Sequence, residues 1–361
     1  DALANNSTAQ AIELGGGDTT YSVWFKPFAN DLLTLRAGYK PGDDYLRYGN
    51  MSAGDTIEGT GKFEVSDFIN AFGGNNYGFI ITSQPIEPLF IGLAYQNNER
   101  GKVGEYYPGI QFGAGYTIGG IGAARVQFFG PYAFDYKNET LPLGFTLPDL
   151  AGLNATYVGT LVDQYTDGSL GLNLNSIQVG FKVLALENMG LLLDVVGKVP
   201  LAYKAYDEDN VRIILNDAIK VGVLASFNAG AFGVTGGIGV KLPYTLADVK
   251  WGTIEAKVEG GLELDIHVEP TYAVTDQLTV GADLGFIFDK YGRSGMKVDG
   301  ESLEMSAWNV LGLGAFAKYT VGKGTFKAGI TVTMDDLSGK KDDGEYTTTT
   351  IKVPLSVNVA F

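Results

Sequence analysis

The sequence contains no cysteine, a single histidine and no long uninterrupted apolar run. Without cysteine there can be no disulfide, no thiol chemistry and no thiolate metal site. Charged, glycine or threonine residues interrupt every hydrophobic stretch before the roughly 18 residues that a membrane-spanning helix needs, which excludes a helical membrane protein. Basic residues are also few, 26 against 41 acidic ones, and they form no cluster. A nucleic-acid partner is therefore not expected.

Glycine and aromatic residues are abundant instead. The 361 residues include 51 glycines, 20 tyrosines, 20 phenylalanines and 3 tryptophans, which favours strands joined by tight turns. Soluble β-sandwiches share this composition, so the composition alone does not identify the class of β protein. Strand length and the placement of apolar residues must decide it. The N-terminus has no basic stretch followed by an apolar core, and we expect that any secretory signal has been removed or was never present.

The last segment of the chain alternates strictly between apolar and small or polar residues. The apolar phase of residues 349–361 consists of Ile351, Val353, Leu355, Val357, Val359 and Phe361. A period of two describes a strand with one apolar face and one wet face. The ending resembles the C-terminal strand of bacterial outer-membrane proteins, where a final aromatic residue is the assembly signal. This resemblance implies that Phe361 is that signal and that the outer-membrane assembly machinery is a partner; the alternative is the last strand of a soluble sheet.

The same alternation recurs in segments of roughly ten residues, which suits a tilted membrane strand. Clear examples are residues 177–183, 262–268, 278–288 and 326–332. Short turns are predicted at 28–31, 84–88, 118–121, 186–190, 228–231, 275–277 and 321–324. They alternate with long connections at 41–72, 96–106, 130–173, 200–216, 242–257, 289–302 and 335–345. Short turns on one side and long loops on the other are typical of an outer-membrane barrel.

This pattern predicts an all-β fold, a transmembrane antiparallel β-barrel of about 16 strands, with 14 or 18 as alternatives. Seven hairpins supply fourteen strands, and the terminal strand is the fifteenth. A first strand near residues 8–15 completes the even number of strands. Residues 1–361 are then a single barrel domain with inserted loops 41–72 and 130–173. Residues 23–28, 33–39 and 43–47 (VWFKPF, LTLRAGY and DDYLR) resemble a stretch common in spirochaete outer-membrane barrel proteins. That resemblance implies an integral outer-membrane location and little about the solute.

If the apolar face meets lipid, the other face lines the interior, because a mid-membrane charge on the lipid side costs about 2–4 kcal/mol. The phase of the strands predicts as basic pore-lining residues Lys26, Arg36, Arg125, Lys182, Lys198, Lys220, Lys318, Lys327 and Lys352. It predicts as the other pore-lining residues Asp194, Glu263, Asp265, His267, Glu269 and Asp283. The wall is thus mostly basic with one acidic strip. Such a wall could tune ion preference, or its charges could merely solvate a wide lumen.

Two long loops carry apolar residues that need cover. In 41–72, Val65, Phe68, Ile69 and Phe72 follow helical spacing and predict a short amphipathic constriction helix. This helix should pack on the barrel wall and narrow the pore, lie across its mouth, or pack on neighbouring loops. The loop 130–173 could plug the lumen, clasp a neighbouring subunit, or form an apolar binding site.

An enzyme is not expected. His267 lies between Asp265 and Glu269, where it could act as a base, but no G-x-S-x-G accompanies it and one histidine is a thin basis for a metal site. No catalytic residue, metal or cofactor is therefore predicted.

The leading hypothesis is a porin that allows passive diffusion of small hydrophilic solutes and ions. The alternatives are a FadL-like transporter for hydrophobic compounds and a non-transporting barrel, either an adhesin or a membrane-embedded hydrolase. Expected partners are membrane lipids and small polar solutes or ions. A homotrimer is an analogy with other sixteen-stranded porins.

Overall fold

The structure is a computed structural model. It describes residues 21–28, 30–39, 52–53, 63–65, 68, 72, 77–97, 109–130, 154–166, 175–208, 211–337 and 348–359.

Strands dominate the described part of the chain, with one α-helix. In chain order the elements are β1 (Tyr21–Phe25), β2 (Thr34–Tyr39), β3 (Ser52–Ala53), β4 (Phe63–Glu64), β5 (Tyr77–Ile86), β6 (Leu89–Asn97), β7 (Gly109–Ile118), β8 (Gly122–Phe129), α1 (Asn154–Thr166), β9 (Ser176–Val183), β10 (Leu191–Pro200), β11 (Tyr203–Glu208), β12 (Val211–Leu215), β13 (Lys220–Ala229), β14 (Phe232–Lys241), β15 (Tyr244–Trp251), β16 (Ile254–Gly260), β17 (Glu263–Ala273), β18 (Leu278–Phe288), β19 (Lys297–Val298), β20 (Glu301–Ser302), β21 (Val310–Val321), β22 (Gly324–Asp335), β23 (Thr348–Lys352) and β24 (Leu355–Val359). Short 3₁₀ turns occupy Glu187–Met189 and Lys290–Gly295.

Sixteen of these segments form one antiparallel sheet. Its order is β1-β2-β5-β6-β7-β8-β9-β10-β13-β14-β17-β18-β21-β22-β23, with β24 also paired to β22. Because β23 and β24 follow each other along β22, they are two halves of one strand, interrupted at Val353 and Pro354. Proline has no backbone N–H to donate to the ladder, which explains the break. The sheet therefore has fifteen strand positions, and the predicted first strand at 8–15 lies outside the described residues.

All seven predicted short turns join neighbouring strands of this sheet. The hairpin between β13 and β14, for example, turns at Gly230 with φ +61°, a left-handed conformation that glycine adopts without strain. Long connections lie at the opposite ends of the same strands. The predicted fold class, an all-β antiparallel barrel of the transmembrane type with about 16 strands, is confirmed.

The two faces of the sheet differ in the way that the alternation predicts. On β7, Ile110 and Phe112 are 40% and 56% exposed, while Gln111 between them is fully buried. On β10, Val195 and Val199 are exposed and Asp194 is buried. Exposed apolar rows beside buried polar rows invert the arrangement of a soluble sheet and suit a strand with lipid outside. We call the side opposite the exposed apolar residues the inward face.

Three of the long connections are not loops but a second sheet, which corrects their sequence interpretation. Residues 200–216, 242–257 and 289–302 contribute the six-stranded sheet β11-β12-β15-β16-β19-β20, which we call the outer sheet. The hairpins of the main sheet continue past Pro200 and Lys241 into it after breaks of a few residues. The apolar alternation stops at these breaks. The chain segments beyond the breaks nevertheless continue to pair with each other as strands.

The helix α1 comes from the long loop 130–173 and packs on the outer sheet. Leu161 and Tyr165 lie four residues apart on one side of α1, and both are buried in a cluster with Ile213, Val249 and Met296. Burying one large aliphatic side chain is worth about 1.5–3 kcal/mol, so this contact holds the helix in place. This part of the loop is thus covered by the chain's own outer sheet. The apolar residues at 134–153 lie outside the described part.

Candidate functional site

Four charged residues stand side by side on neighbouring strands of the inward face. Lys198 on β10 lies directly opposite Lys220 on β13. Lys220 lies opposite Lys241 on β14, and Lys241 lies opposite Glu263 on β17. We call these four residues the charged row. Like charges in directly opposed positions repel each other, so this stretch of wall concentrates positive potential.

Glycines on the inward face next to the charged row serve as seats for aromatic rings. A Cβ added to Gly222 would come within 2.5 Å of the Phe68 ring, and one at Gly239 within 2.7 Å of the Phe63 ring. At Gly237 a Cβ would overlap Phe63 outright. The two rings meet edge to face with centroids 5.6 Å apart. We call Phe63 and Phe68 the aromatic floor; only residues without a side chain let it lie so close to the wall.

The aromatic floor also encloses the single histidine. The rings of Phe63 and His267 stack with centroids 5.6 Å apart. The His267 side chain has no exposed surface, and its Nε2 lies 2.8 Å from Oδ1 of Asp265. A covered imidazole of this kind is a poor candidate for a general base, because a substrate could not reach it.

A second seat holds Phe72 further along the sheet. A Cβ at Gly92 on β6 would come 2.7 Å from the Phe72 ring. Phe72 is buried with Ile80, Phe90 and Ala94 in a separate apolar cluster. The aromatic floor and Phe72 therefore touch the inward face at two places, one on β13 and β14 and the other on β5 and β6.

The predicted constriction helix is described only at Val65, Phe68 and Phe72, so it stays a prediction. Val65, Phe68 and Phe72 are buried, but Phe63–Glu64 is a strand, and the Phe68 N–H donates to the Val65 carbonyl across a single turn at 3.1 Å. Ile69, the fourth predicted position, lies outside the described residues.

A small cavity lies between the charged row and the aromatic floor. It has a volume of about 100 Å³ and is lined by Phe63, Phe68, Lys220, Gly239, Val240, Lys241, Glu263 and Asp265. Ammonium, carboxylate and aromatic groups therefore converge on one space of the size of a small organic molecule. This cavity and the charged row are the candidate functional site.

Lys241 connects this site to the outer sheet. Its Nζ lies 3.9 Å from Glu263 Oε2, and 5.3 Å and 5.6 Å from the ring centroids of Tyr165 and Tyr244. Ammonium groups over aromatic faces are attracted by the ring quadrupole. Burial raises the pKa of both tyrosines above the ordinary phenol value, so both rings stay neutral at physiological pH. Helix α1, through Tyr165, thereby closes over one end of the charged row.

A buried ion pair stabilises the sheet on the other side of the charged row. Arg125 on β8 donates to both carboxylate oxygens of Asp194, at 2.8 and 3.0 Å. Both side chains are almost fully buried, and the guanidinium lies against Gly180, where any Cβ would collide with it. Both residues were predicted to line the pore; the structure places them on the inward face but shields them and engages them with each other.

The residues of the predicted acidic strip lie in different environments. Glu263 accepts a hydrogen bond from the Tyr291 N–H at 2.7 Å as well as facing Lys241. Asp265 lies against His267, and Asp283 on β18 is buried. Glu269 lies on the inward side of β17 and is partly buried. Two members of the strip therefore border the cavity, and the other two do not line it.

The remaining predicted pore-lining residues are spread around the sheet. Lys26 lies just beyond β1 and pairs with Asp31 across the first turn. Lys182 on β9 lies 3.5 Å from Glu187 at a turn. Lys318 lies directly opposite Lys327 on β21 and β22. The others, Arg36 on β2 and Lys352 on β23, share the phase of the inward face.

Among the charged and aromatic residues of the site, sequence reasoning missed Lys241 and Phe63. Lys241 immediately precedes the predicted connection 242–257 and was overlooked, although its phase relative to the exposed Ile238 would have placed it inward. Phe63 was overlooked because no local pattern shows that Gly237 and Gly239, far away in the sequence, will accept its ring. The stretch of alternating residues around Ile238 was the available signal for Lys241.

Within the part of the chain that the structure describes, no group of three or more histidine, cysteine, aspartate or glutamate residues could hold a metal ion. None of the helices in that part combines the length and apolar character needed to cross a membrane.

Comparison with known proteins gives remote structural likenesses only. No protein-family model matches the chain, and no curated protein does. Among solved structures, the outer membrane protein OmpT of Vibrio cholerae in its trimer form is 8% identical with a TM-score of 0.39, over 94% of this chain and 88% of that chain. Its loop L8 deletion mutant gives 9% and 0.41, over 95% and 91%. The outer membrane channel DcaP of Acinetobacter baumannii gives 11% and 0.43, over 86% and 94%. With TM-scores below 0.5, these likenesses carry no argument about what this chain does.

Proposed function

We propose that this protein is a porin of the bacterial outer membrane that lets small hydrophilic solutes and ions diffuse passively. The observation that carries the proposal is the sorting of the sheet's faces. Long strands expose valine, isoleucine and phenylalanine on one side and carry lysine, arginine, glutamine and carboxylates on the other. The first side suits lipid and the second suits water, which is the division that a water-filled barrel requires.

The outer-membrane location belongs to the same proposal. A barrel hides every backbone donor and acceptor between strands, and a sheet of about 16 strands is wide enough to leave an aqueous channel. Phe63, Phe68 and Phe72 on the inward face, together with α1, are then the parts that narrow this channel.

A second candidate is a carrier for hydrophobic compounds. The rings of Phe63, Phe68 and Phe72 on the inward face favour it, because a polar lumen has no need of three aromatic side chains. Each ring, however, is seated on a wall glycine and largely buried, so no extended apolar surface is left for a large hydrophobic compound. A hydrolase built around His267 is disfavoured by the cover over that side chain.

Solute release from liposomes tests the proposal. Purified protein refolded into vesicles should release sugars in order of size, with small ones fastest and large ones retained. Heat-denatured protein in the same vesicles is the control for leakage. Vesicles that retain every sugar as well as ions, while the refolded protein still binds an apolar compound, would support the carrier and overturn the porin.

A further inference from the structure

We propose that the cavity between the charged row and the aromatic floor binds small organic anions that combine a carboxylate with an apolar body. The proposal rests on the porin function only for the idea that such anions pass through the protein. Binding itself can be measured whether or not the channel conducts.

The first argument is an unbalanced charge. Three lysines occupy directly opposed positions on β10, β13 and β14, which costs free energy unless something negative stands near them. Glu263 lies within ion-pair distance of Lys241. In the part of the chain that is described, Lys198 and Lys220 have no carboxylate within that distance, and Asp217 contributes only a longer-range attraction to Lys198 and Lys241. Lys220, which lines the cavity, therefore has no ion-pair partner among the described residues and can meet an anion from solution.

The second argument is the state of the carboxylates at the cavity. Glu263 already faces Lys241 and accepts a hydrogen bond from the Tyr291 N–H. Asp265 lies against His267. Because Glu263 is already engaged by an ammonium group and an N–H donor, it is a poor partner for a cationic ligand. Lys220, by contrast, lines the cavity without such a partner, and Lys198 stands directly opposite it on the neighbouring strand.

The third argument is the apolar surface beside these lysines. The rings of Phe63 and Phe68 line the same cavity as Lys220, and their glycine seats fix them in place. A cavity of about 100 Å³ is of the same order as the roughly 150 Å³ of an engineered apolar cavity that holds benzene. The carboxylate of a compact aromatic or short branched acid can thus meet Lys220 while its body lies on the rings.

Calorimetric titration of the purified protein tests this assignment. Benzoate should bind more tightly than acetate, which lacks the apolar body, and more tightly than benzamide, which lacks the charge. The variant K198Q/K220Q should bind benzoate about tenfold or more weakly, since it removes at least one charge-assisted hydrogen bond. The matched control is K318Q/K327Q, which removes a directly opposed lysine pair elsewhere on the inward face and should change the affinity less than twofold.

The aromatic part has its own variant. Phe63→Leu keeps an apolar residue of similar volume and should weaken benzoate while leaving acetate unchanged. A salt titration of the unaltered protein gives a result that no folding defect can obscure, because binding by ammonium groups weakens as salt rises. Equal affinities for benzoate and benzamide, or a salt-independent affinity for benzoate, would overturn the proposal.

Parallel vesicle experiments separate this inference from the porin. Lysine-dependent benzoate binding without solute release would overturn the porin and leave the anion site standing. Solute release with benzoate binding that is equal in K198Q/K220Q and K318Q/K327Q would overturn the anion site and leave the porin standing.

Discussion

Directly opposed lysines face the inside of this sheet in two regions, and the surroundings of the pairs Lys198–Lys220 and Lys318–Lys327 differ. Lys198 and Lys220 are partly buried, and Lys220 borders the same cavity as the aromatic floor. Lys318 is exposed, and Lys327 lies 4.2 Å from the centroid of the Phe316 ring. In sequence both pairs are lysines on the polar phase of a strand. The difference comes from Phe63 and Phe68, which cover the wall at β13 and β14. We call that covered part the shielded wall and the part formed by β21 to β24 the open wall.

The comparison teaches that strand phase alone does not decide what a pore-facing charge does. In the shielded wall, charges are close to each other and to aromatic rings, so their interactions are strong. In the open wall, inward-facing positions such as Lys318 and Lys352 are exposed, and water and salt screen them. Removing a charge should therefore have larger effects in the first region than in the second.

The largest expected effect is on stability, at the buried ion pair beside the shielded wall. Arg125→Leu leaves Asp194 charged and buried, which should lower the free energy of unfolding by about 3–5 kcal/mol. Denaturant unfolding in detergent, followed by tryptophan fluorescence, measures this change. The matched control is Arg212→Leu in the outer sheet, whose partner Asp248 is about as exposed as it is and whose loss should cost at most about 1 kcal/mol. Equal losses in the two variants would contradict the distinction.

The next effect concerns the seats of the aromatic floor. Gly237→Leu forces a side chain into the space of the Phe63 ring and should lift that ring from the wall, at a cost of about 1–3 kcal/mol. His267 is the single histidine and is covered by Phe63, so its reaction with a histidine-directed acylating reagent reports the displacement. We expect slow modification in the unaltered protein and fast modification in the variant.

A control glycine lies at the start of β22, on the side of the exposed Phe326. A Cβ at Gly324 would meet no atom closer than 3.4 Å, so Gly324→Leu should leave the rate of His267 modification unchanged. If both glycine variants left His267 equally protected, the idea that wall glycines hold the aromatic floor would be wrong.

Much of the fold followed from the alternation of residues. The seven short turns and the phases of β17 and β18 were predictable, because one face of each strand must suit lipid and the other must not. The outer sheet was not, since Val211, Ile213 and Leu215 form too short a run to distinguish a strand from an apolar loop. Helix α1 was missed as well, because its threonines, tyrosines and glycine favour helix weakly and its burial depends on the outer sheet.

Several residues of the site were predictable individually, but their arrangement relative to each other was not. The inward phases of Lys198 and Lys220 followed from their own strands. Their direct opposition depends on register, which each turn and each change of strand length can shift by a residue. The seating of Phe63 on Gly237 joins residues that are far apart in sequence, so no local pattern contains it.

A smaller effect is expected from the acid at the end of the charged row. Glu263→Gln releases Lys241 from its ion pair and should raise the preference of the pore for anions over cations by roughly two- to fivefold, the equivalent of about 0.5–1 kcal/mol for one partly screened charge. Reversal potentials in a salt gradient measure this preference. Glu301→Gln on the exposed β20 is the control and should not change it. A fall in anion preference in the first variant would show that Glu263 does not restrain Lys241.

The most direct test of the account is the reversal potential of single channels in a planar bilayer, compared between K198Q/K220Q and K318Q/K327Q. Both variants lose the same formal charge from opposed positions on the inward face. If the shielded wall controls passage, the first variant should lose most of the anion preference of the unaltered channel, while the second keeps most of it. Equal shifts in the two variants, or no ion conduction by the unaltered protein, would contradict the account.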